Sequence, residues 1–273
     1  EGMSKGVNFL MKKNKITVIE GYGTLERGKK VSVKGADGKS NTYEAENIII
    51  ATGGRAKSLP HIPIDGSDVI GYREAMNLPK QPKKMVVIGA GAIGVEFAYF
   101  YNSIGTEVTI VEFLEQGLVP REDKDISREL GKAFKKKGIA VMANASVEAV
   151  EKKGKTTVVK VKSRKDESIT EIKCDIVLSA TGVQANIEKI GLETLGIKTD
   201  KGLIQVDEYS QTNVPGIYAI GDVTPGAALA HVASAEGIIC VEKIAGQNPK
   251  PIDYGNIPSC TYCSPEVASV GLT

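Results

Sequence analysis

Gly89, Gly91 and Gly94 fall in the order G-x-G-x-x-G, and Glu112 lies eighteen residues beyond the last of them. Glycines at that spacing can cradle a pyrophosphate: the first allows a tight turn, the second lets backbone approach the phosphates, and the third lets a helix pack close to its strand. The N–H groups of the first helical turn and the helix dipole would then face the anion. A carboxylate about 20 residues further on is placed for the adenosine ribose hydroxyls. It would repel a 2′-phosphate, and no arginine occurs in residues 113–118, so these residues point to NAD rather than NADP. The other reading of the same residues is a βαβ unit with no ligand, in which Glu112 is a solvated strand end.

That chemistry needs a strand, a turn, a helix and a second strand in register. The chain supplies a β-branched run at 85–88, the turn at 89–94, a helical stretch to about 104 and a returning strand at 108–111. Ala90, Ala92, Ile93, Val95 and Glu96 lie within the turn and the helix start, as candidate contacts to the dinucleotide.

Two further stretches repeat one another. Ile50-Ala51-Thr52-Gly53 and Ser179-Ala180-Thr181-Gly182 each end an apolar strand, and each follows a small antiparallel meander. The strands of the first meander are predicted at 16–20, 30–34 and 40–44, and those of the second at 146–151, 156–163 and 168–174. The repetition suggests two related nucleotide-binding domains. Gly53 and Gly54 carry no side chain to keep a ligand from the backbone. A strand over 216–220 ends in Gly221-Asp222, where a carboxylate can hold a ligand hydroxyl at the carboxyl end of an open α/β sheet; an Asp that only caps a turn is the alternative. Helices are predicted at 73–77, 123–138 and 227–246, with a helical tail in the polar, basic residues 1–15. The last residues, 267–273, read as a strand just begun.

With 41% hydrophobic and 25% charged residues among 273, the composition is that of an ordinary globular protein of about two domains. The net charge is +2 and the densest basic tract is Lys135-Lys136-Lys137, so neither nucleic acid nor a membrane is an expected partner. No apolar run approaches the roughly 20 residues of a membrane span, and no signal peptide is expected. Cys174, Cys240, Cys260 and Cys263 are too scattered for a secreted disulfide framework, which favours a reducing compartment, the cytoplasm. Cys260-x-x-Cys263 has a redox or zinc spacing, but no second pair and no thioredoxin-like context accompany it, so a structural role is expected. His61, in a proline-rich connection, is expected at the surface.

The ordered series of GYG at 21–23, IIIATGG at 48–54, VVIGAGAIGVEFA at 86–98, Glu112, DIVLSATG at 175–182, TNVPGIYAIGDV at 212–223, Leu229-Ala230-His231 and IPSCTYCSPEVASVGLT at 257–273 resembles the pyridine nucleotide-disulfide oxidoreductase family of flavoproteins. The likeness spans essentially the whole chain and is greatest to the branch that oxidises dihydrolipoamide on 2-oxo acid dehydrogenase complexes. It implies an α/β fold of tandem FAD- and NAD(P)-binding Rossmann-like domains, with parallel sheets and small antiparallel β-meanders. By that resemblance Gly23, Thr52, Gly53, Gly54, Asp222, Ala228, Leu229, Ala230 and His231 would contact FAD. Gly89, Ala90, Gly91, Ala92, Ile93, Gly94, Val95, Glu96, Glu112, Val147 and Gly182 would contact NAD, with Glu96 beside flavin and nicotinamide.

The implied division is 1–80 as part of an FAD domain, 81–203 as the NAD domain, 204–256 as the returning FAD segment and 257–273 as the start of an interface domain. The family's amino-terminal glycine motif, its redox Cys-x4-Cys with a following lysine, and its His-x4-Glu base from a homodimer partner are not in this sequence. The chain is therefore expected to be a central piece of a longer enzyme, with no catalytic residue of its own and weak or absent FAD. The Gly-Arg-x-Pro-Asn that often follows the second Ala-Thr-Gly in the family is here Gly182-Val-Gln-Ala-Asn186, which leans away from NADP-dependent members.

Overall fold

A computed structural model describes residues 2–154 and 156–272. The chain divides into two compact units, one of residues up to Gly53 with Ala185–Ile252, the other of Gly54–Gln184 with the residues from Asp253 onward.

The second unit is built on a five-stranded sheet in the order Val69–Ile70, Ile176–Ser179, Lys84–Ile88, Glu107–Val111, Ala140–Met142. All four pairings are parallel. A parallel sheet must be covered on both faces, and its strands read accordingly as continuous apolar runs. Alternation along Lys84–Ile88 sends Met85 and Val87 to one face and Val86 and Ile88 to the other. The first pair packs with Val95, Ala98 and Tyr101 of the helix Ala92–Ser103 and with Leu130 and Phe134 of the helix Lys124–Lys136. The second pair packs with Val147, Val159 and Val161 of an antiparallel sheet formed by Ala145–Lys153, Thr156–Ser163 and Ile169–Cys174. Asp125 in the first turn of Lys124–Lys136 and Lys135 and Lys136 in the last suit the helix dipole.

In the first unit, Ile48–Ile50 and Ile217–Ala219 pair in parallel. Ile50, Ile217 and Ala219 share a core with Leu25, Ile190, Leu192 and Ile204. The helices Gly2–Lys13 and Ala230–Ile244 belong to this unit.

The expected α/β class, with parallel sheets and small antiparallel meanders, is borne out. One strand is displaced. The expected strand at 16–20 carries no regular structure, and Ile16, Val18 and Ile19 are exposed. The strand forms instead at Tyr22–Glu26, because pairing with Lys30–Lys34 through the turn at Gly28 aligns Tyr22 with Lys34 and Glu26 with Lys30. That register buries Leu25, whose N–H donates to the Ile190 carbonyl at 2.8 Å. The crossings between units fall at 53/54, 184/185 and 252/253, where the sequence suggested 80/81, 203/204 and 256/257. Val69–Ile70 adds to the edge of the five-stranded sheet, and residues 190–197 pack into the core around Leu25. Of the strand begun at 267, Val267–Ser269 forms and pairs with Ser259–Thr261; Thr273 lies outside the described residues.

Candidate functional site

The glycine turn sits at the carboxyl end of Lys84–Ile88, between that strand and the helix Ala92–Ser103. Its three glycines meet different constraints. Gly89 has φ +100°, and a Cβ there would lie 2.5 Å from the Ala180 carbonyl oxygen. A Cβ on Gly94 would lie 2.0 Å from the Gly89 carbonyl oxygen, so helix and strand touch backbone to backbone. Gly91 has an ordinary φ of −69°, and a Cβ there would meet nothing within 4 Å. Packing requires glycine at 89 and 94 and leaves position 91 open, which is the cradle a phosphate group would occupy. Gly91 is also the N-cap, with no side chain to cap the first-turn N–H groups, so the positive end of a 12-residue helix faces that opening. The residues present fit a dinucleotide pyrophosphate.

Glu112 follows the strand Glu107–Val111 and is 7% exposed. It is not a solvated strand end. Its Oε2 accepts the Ala90 N–H at 2.6 Å and its Oε1 accepts the Leu114 N–H at 2.9 Å. Each carboxylate oxygen has a second lone pair, so two ribose hydroxyls could still donate to it. The acid, the turn and the helix start are thus brought together by adjacent parallel strands. Gly182, with φ +122°, follows the strand Ile176–Ser179 on the other side of Lys84–Ile88, and its carbonyl accepts the Lys57 N–H at 2.9 Å. Val147 is different: its side chain is buried in the core, and its carbonyl is 3.1 Å from His61 Nε2. His61 itself is exposed.

In the first unit, Thr52 and Gly53 follow Ile48–Ile50, and Asp222 follows Ile217–Ala219 in a turn of 3-10 helix at Gly221–Val223. The two strands are parallel neighbours, so these residues leave the sheet side by side, with the Ile220 N–H donating to the Ile50 carbonyl at 3.0 Å. Asn186 ties this loop: the Thr52 hydroxyl donates to its carbonyl at 2.6 Å, its Nδ2 donates to the Thr52 carbonyl at 3.0 Å, and its N–H donates to the Gly53 carbonyl at 2.9 Å. Gly53 adopts φ +66° with open space where a Cβ would stand, so backbone is accessible to a ligand there. Ala228, Leu229, Ala230 and His231 lie at the amino end of the helix Ala230–Ile244, where Leu229 is the N-cap and provides no side-chain cap. Gly23 lies in the strand Tyr22–Glu26, opposite Val33, and Gly54 begins the short strand Gly54–Ala56 of the other unit.

The profile of one family, pyridine nucleotide-disulphide oxidoreductase, matches residues 1–237 of this chain. The chain belongs to that family. Among curated relatives it is 45% identical to the dihydrolipoyl dehydrogenase of Rhizobium etli, over 99% of this chain and 59% of that protein. It is 42% identical to the dihydrolipoyl dehydrogenase of Mycobacterium leprae, over 100% of this chain and 59% of that protein. Among solved structures, LpdA from Mycobacterium tuberculosis superposes with a TM-score of 0.90 at 29% identity, covering 99% of this chain and 59% of that one. The HOCl-induced flavoprotein disulfide reductase RclA from Escherichia coli, solved as a Cu(II) complex, gives 0.87 at 27% identity, covering 99% and 62%. The chain spans somewhat under three fifths of the length of those two curated relatives. The family resemblance read from the sequence is borne out.

Other residues singled out by family likeness or by spacing are placed as follows. Glu96 points from the helix Ala92–Ser103 to the segment carrying the cysteines, and its Oε1 accepts the Tyr262 N–H at 2.9 Å. Cys260 is exposed and Cys263 is buried, both as free thiols. Burial, reinforced by the nearby Glu96 and Glu266, pushes the Cys263 thiol up to about 11, so it is a poor nucleophile at neutral pH. Among the described residues no three His, Cys, Asp or Glu side chains could hold a metal ion, and no helix is long and apolar enough to cross a membrane.

Two side chains near the candidate sites were missed. Glu236, 4% exposed, accepts the Gly221 N–H on its Oε2 at 2.6 Å, directly before Asp222. Val232, Glu236 and Cys240 are the buried residues of their helix, and this spacing of four is the signal that could have shown the acid facing inward. Arg164 reaches Phe113, next to Glu112, from 51 residues away, and no local pattern carries that contact.

Proposed function

We propose that this chain carries the nucleotide-handling part of an NAD-linked flavoprotein disulfide oxidoreductase, a dihydrolipoyl dehydrogenase. The observation that carries the NAD reading is the Glu112 carboxylate, buried beside an open glycine cradle with both oxygens held by backbone N–H groups. A fixed negative charge there accepts ribose hydroxyls and repels a 2′-phosphate.

In this reading the unit containing Gly89–Gly94 binds NAD. Gly91 admits the pyrophosphate, the N–H groups of Ala92, Ile93 and Gly94 face it, and Glu112 orients the adenosine ribose, with Val95, Glu96, Val147 and Gly182 completing the surroundings. The other unit binds FAD through Gly23, Thr52, Gly53, Asp222 and the helix start at Ala228–His231, with Gly54 at the boundary. Asp222 offers its carboxylate to the ribityl or pyrophosphate region, and the amino end of Ala230–Ile244 supplies a positive dipole. When bound, FAD supplies the carrier through which electrons from a dithiol reach NAD. The substrate is dihydrolipoamide on 2-oxo acid dehydrogenase complexes, the enzyme works as a homodimer, and four free cysteines suit a reducing cytoplasm.

The test is a calorimetric titration of the purified protein with NADH and with NADPH, after its flavin absorbance bands have been recorded. NADH is expected to bind at least about tenfold tighter, the factor that about 1.4 kcal/mol of repulsion produces. Equal or tighter NADPH binding would overturn the role of Glu112 and the dihydrolipoyl dehydrogenase reading with it.

A further inference from the structure

No arginine occurs in residues 113–118, yet the fold delivers one to Phe113. Arg164 lies in the turn between the strands Thr156–Ser163 and Ile169–Cys174, and its guanidinium carbon sits 3.9 Å from the centroid of the Phe113 ring. Its Nη1 donates to the Phe113 carbonyl at 3.1 Å and to Asn144 Oδ1 at 3.3 Å. Its backbone N–H donates to the Asn144 carbonyl at 2.8 Å, and the Asn144 N–H donates to the Leu114 carbonyl at 3.1 Å. Leu114 in turn donates its N–H to Glu112 Oε1. The contacts close a ring: Arg164 and Asn144 fix the Phe113-Leu114 turn, and that turn fixes one oxygen of the ribose-binding acid.

From this ring we infer that Arg164 is a positioning residue for the adenosine half of NAD. The inference rests on the NAD reading above. Phe113 is 54% exposed although it is a large apolar ring. The guanidinium holds the ring flat beside the place where a Rossmann unit receives adenosine, while the backbone bonds keep Glu112 aimed. An arginine near such an acid could instead serve a 2′-phosphate. Here one planar face is spent on the ring and Nη1 on two oxygens, which assigns it a role through Glu112 and Phe113.

The experiment compares wild type, Arg164→Ala, Arg164→Lys and Glu112→Gln by calorimetry with NADH, NADPH, ADP-ribose and NMNH, alongside the ligand-free melting midpoint. Arg164→Ala is expected to weaken NADH and ADP-ribose in parallel by about tenfold, because the Phe113-Leu114 turn loses its anchors and must be ordered when the ligand binds, with NMNH binding unchanged. Arg164→Lys keeps the charge and loses the planar stack, so it should not rescue binding. Unchanged NADH binding in Arg164→Ala overturns the inference. So does a selective loss of NADPH binding, which would make Arg164 a phosphate ligand, and so does an equal loss of NMNH binding, which would mark a general structural effect. Wild type that binds neither dinucleotide, or Glu112→Gln that leaves the NADH to NADPH ratio unchanged, sinks the NAD reading itself. Phe113→Leu, which removes the flat ring, must reproduce the Arg164→Ala result should that variant fail to fold.

Discussion

Gly91 and Gly94 are the same residue type for opposite reasons. A methyl group on Gly94 would be driven to 2.0 Å from the Gly89 carbonyl oxygen, whereas one on Gly91 would enter open space at an ordinary backbone angle. Gly94→Ala is therefore expected to destabilise the fold by about 1–3 kcal/mol, the usual cost of overpacking, read as a lower denaturant midpoint. Gly91→Ala should leave that midpoint in place and weaken NADH binding measured by calorimetry. Full NADH affinity in Gly91→Ala would mean the cradle is not the pyrophosphate site. The pattern G-x-G-x-x-G was legible as sequence, but only the neighbours of each Cα separate the glycine that packing demands from the one it leaves free.

At the scale of the elements, both buried carboxylates perform one task. Glu112 accepts the Ala90 N–H in the glycine turn, and Glu236 accepts the Gly221 N–H in the turn that presents Asp222. In each case an acid fixes backbone where a parallel strand ends and the chain must turn. Glu236→Ala strips the partner from a backbone N–H and should cost about 1–3 kcal/mol in chemical denaturation. Glu236→Gln retains an acceptor and should recover most of it; an equal loss in both would show that charge, not the hydrogen bond, matters there. Glu112 was found from its distance to the glycines. Glu236 was hidden in an alanine-rich helix, where only its spacing of four from Val232 and Cys240 marks it as facing inward. The strand expected at 16–20 failed similarly: four β-branched residues gave local propensity, but register with Lys30–Lys34 and burial of Leu25 placed the strand at Tyr22–Glu26.

For the whole molecule, the buried thiols make stability depend on alkaline pH. Burial pushes Cys174, Cys240 and Cys263 from an ordinary 9.0 up to about 11, and they are distributed over both units. A thiol whose folded value is raised keeps its proton in the native state after the unfolded chain has begun to lose it. Its contribution is thus fully present below pH 9 and is lost as pH rises through about 11. The melting midpoint is expected to fall over that interval, and less steeply in Cys174→Ala once the variant's own neutral-pH loss is subtracted. A midpoint flat from pH 9 to 11 would show that these thiols ionise alike in both states.

The sequence by itself determined the glycine turn with its acid and most strands and helices, because these rest on local periodicity and fixed spacings along the chain, and its ordered series of motifs carried the likeness to the family and to its α/β class. Tertiary structure decided the rest. It drew residues 54–80 into the unit of the five-stranded sheet, brought Asn186 to Thr52 and Gly53, turned Glu236 inward and carried Arg164 to Phe113. The contacts of Asn186 and Arg164 join residues whose separation along the chain carries no periodic signal, so only tertiary packing within each unit could bring them together.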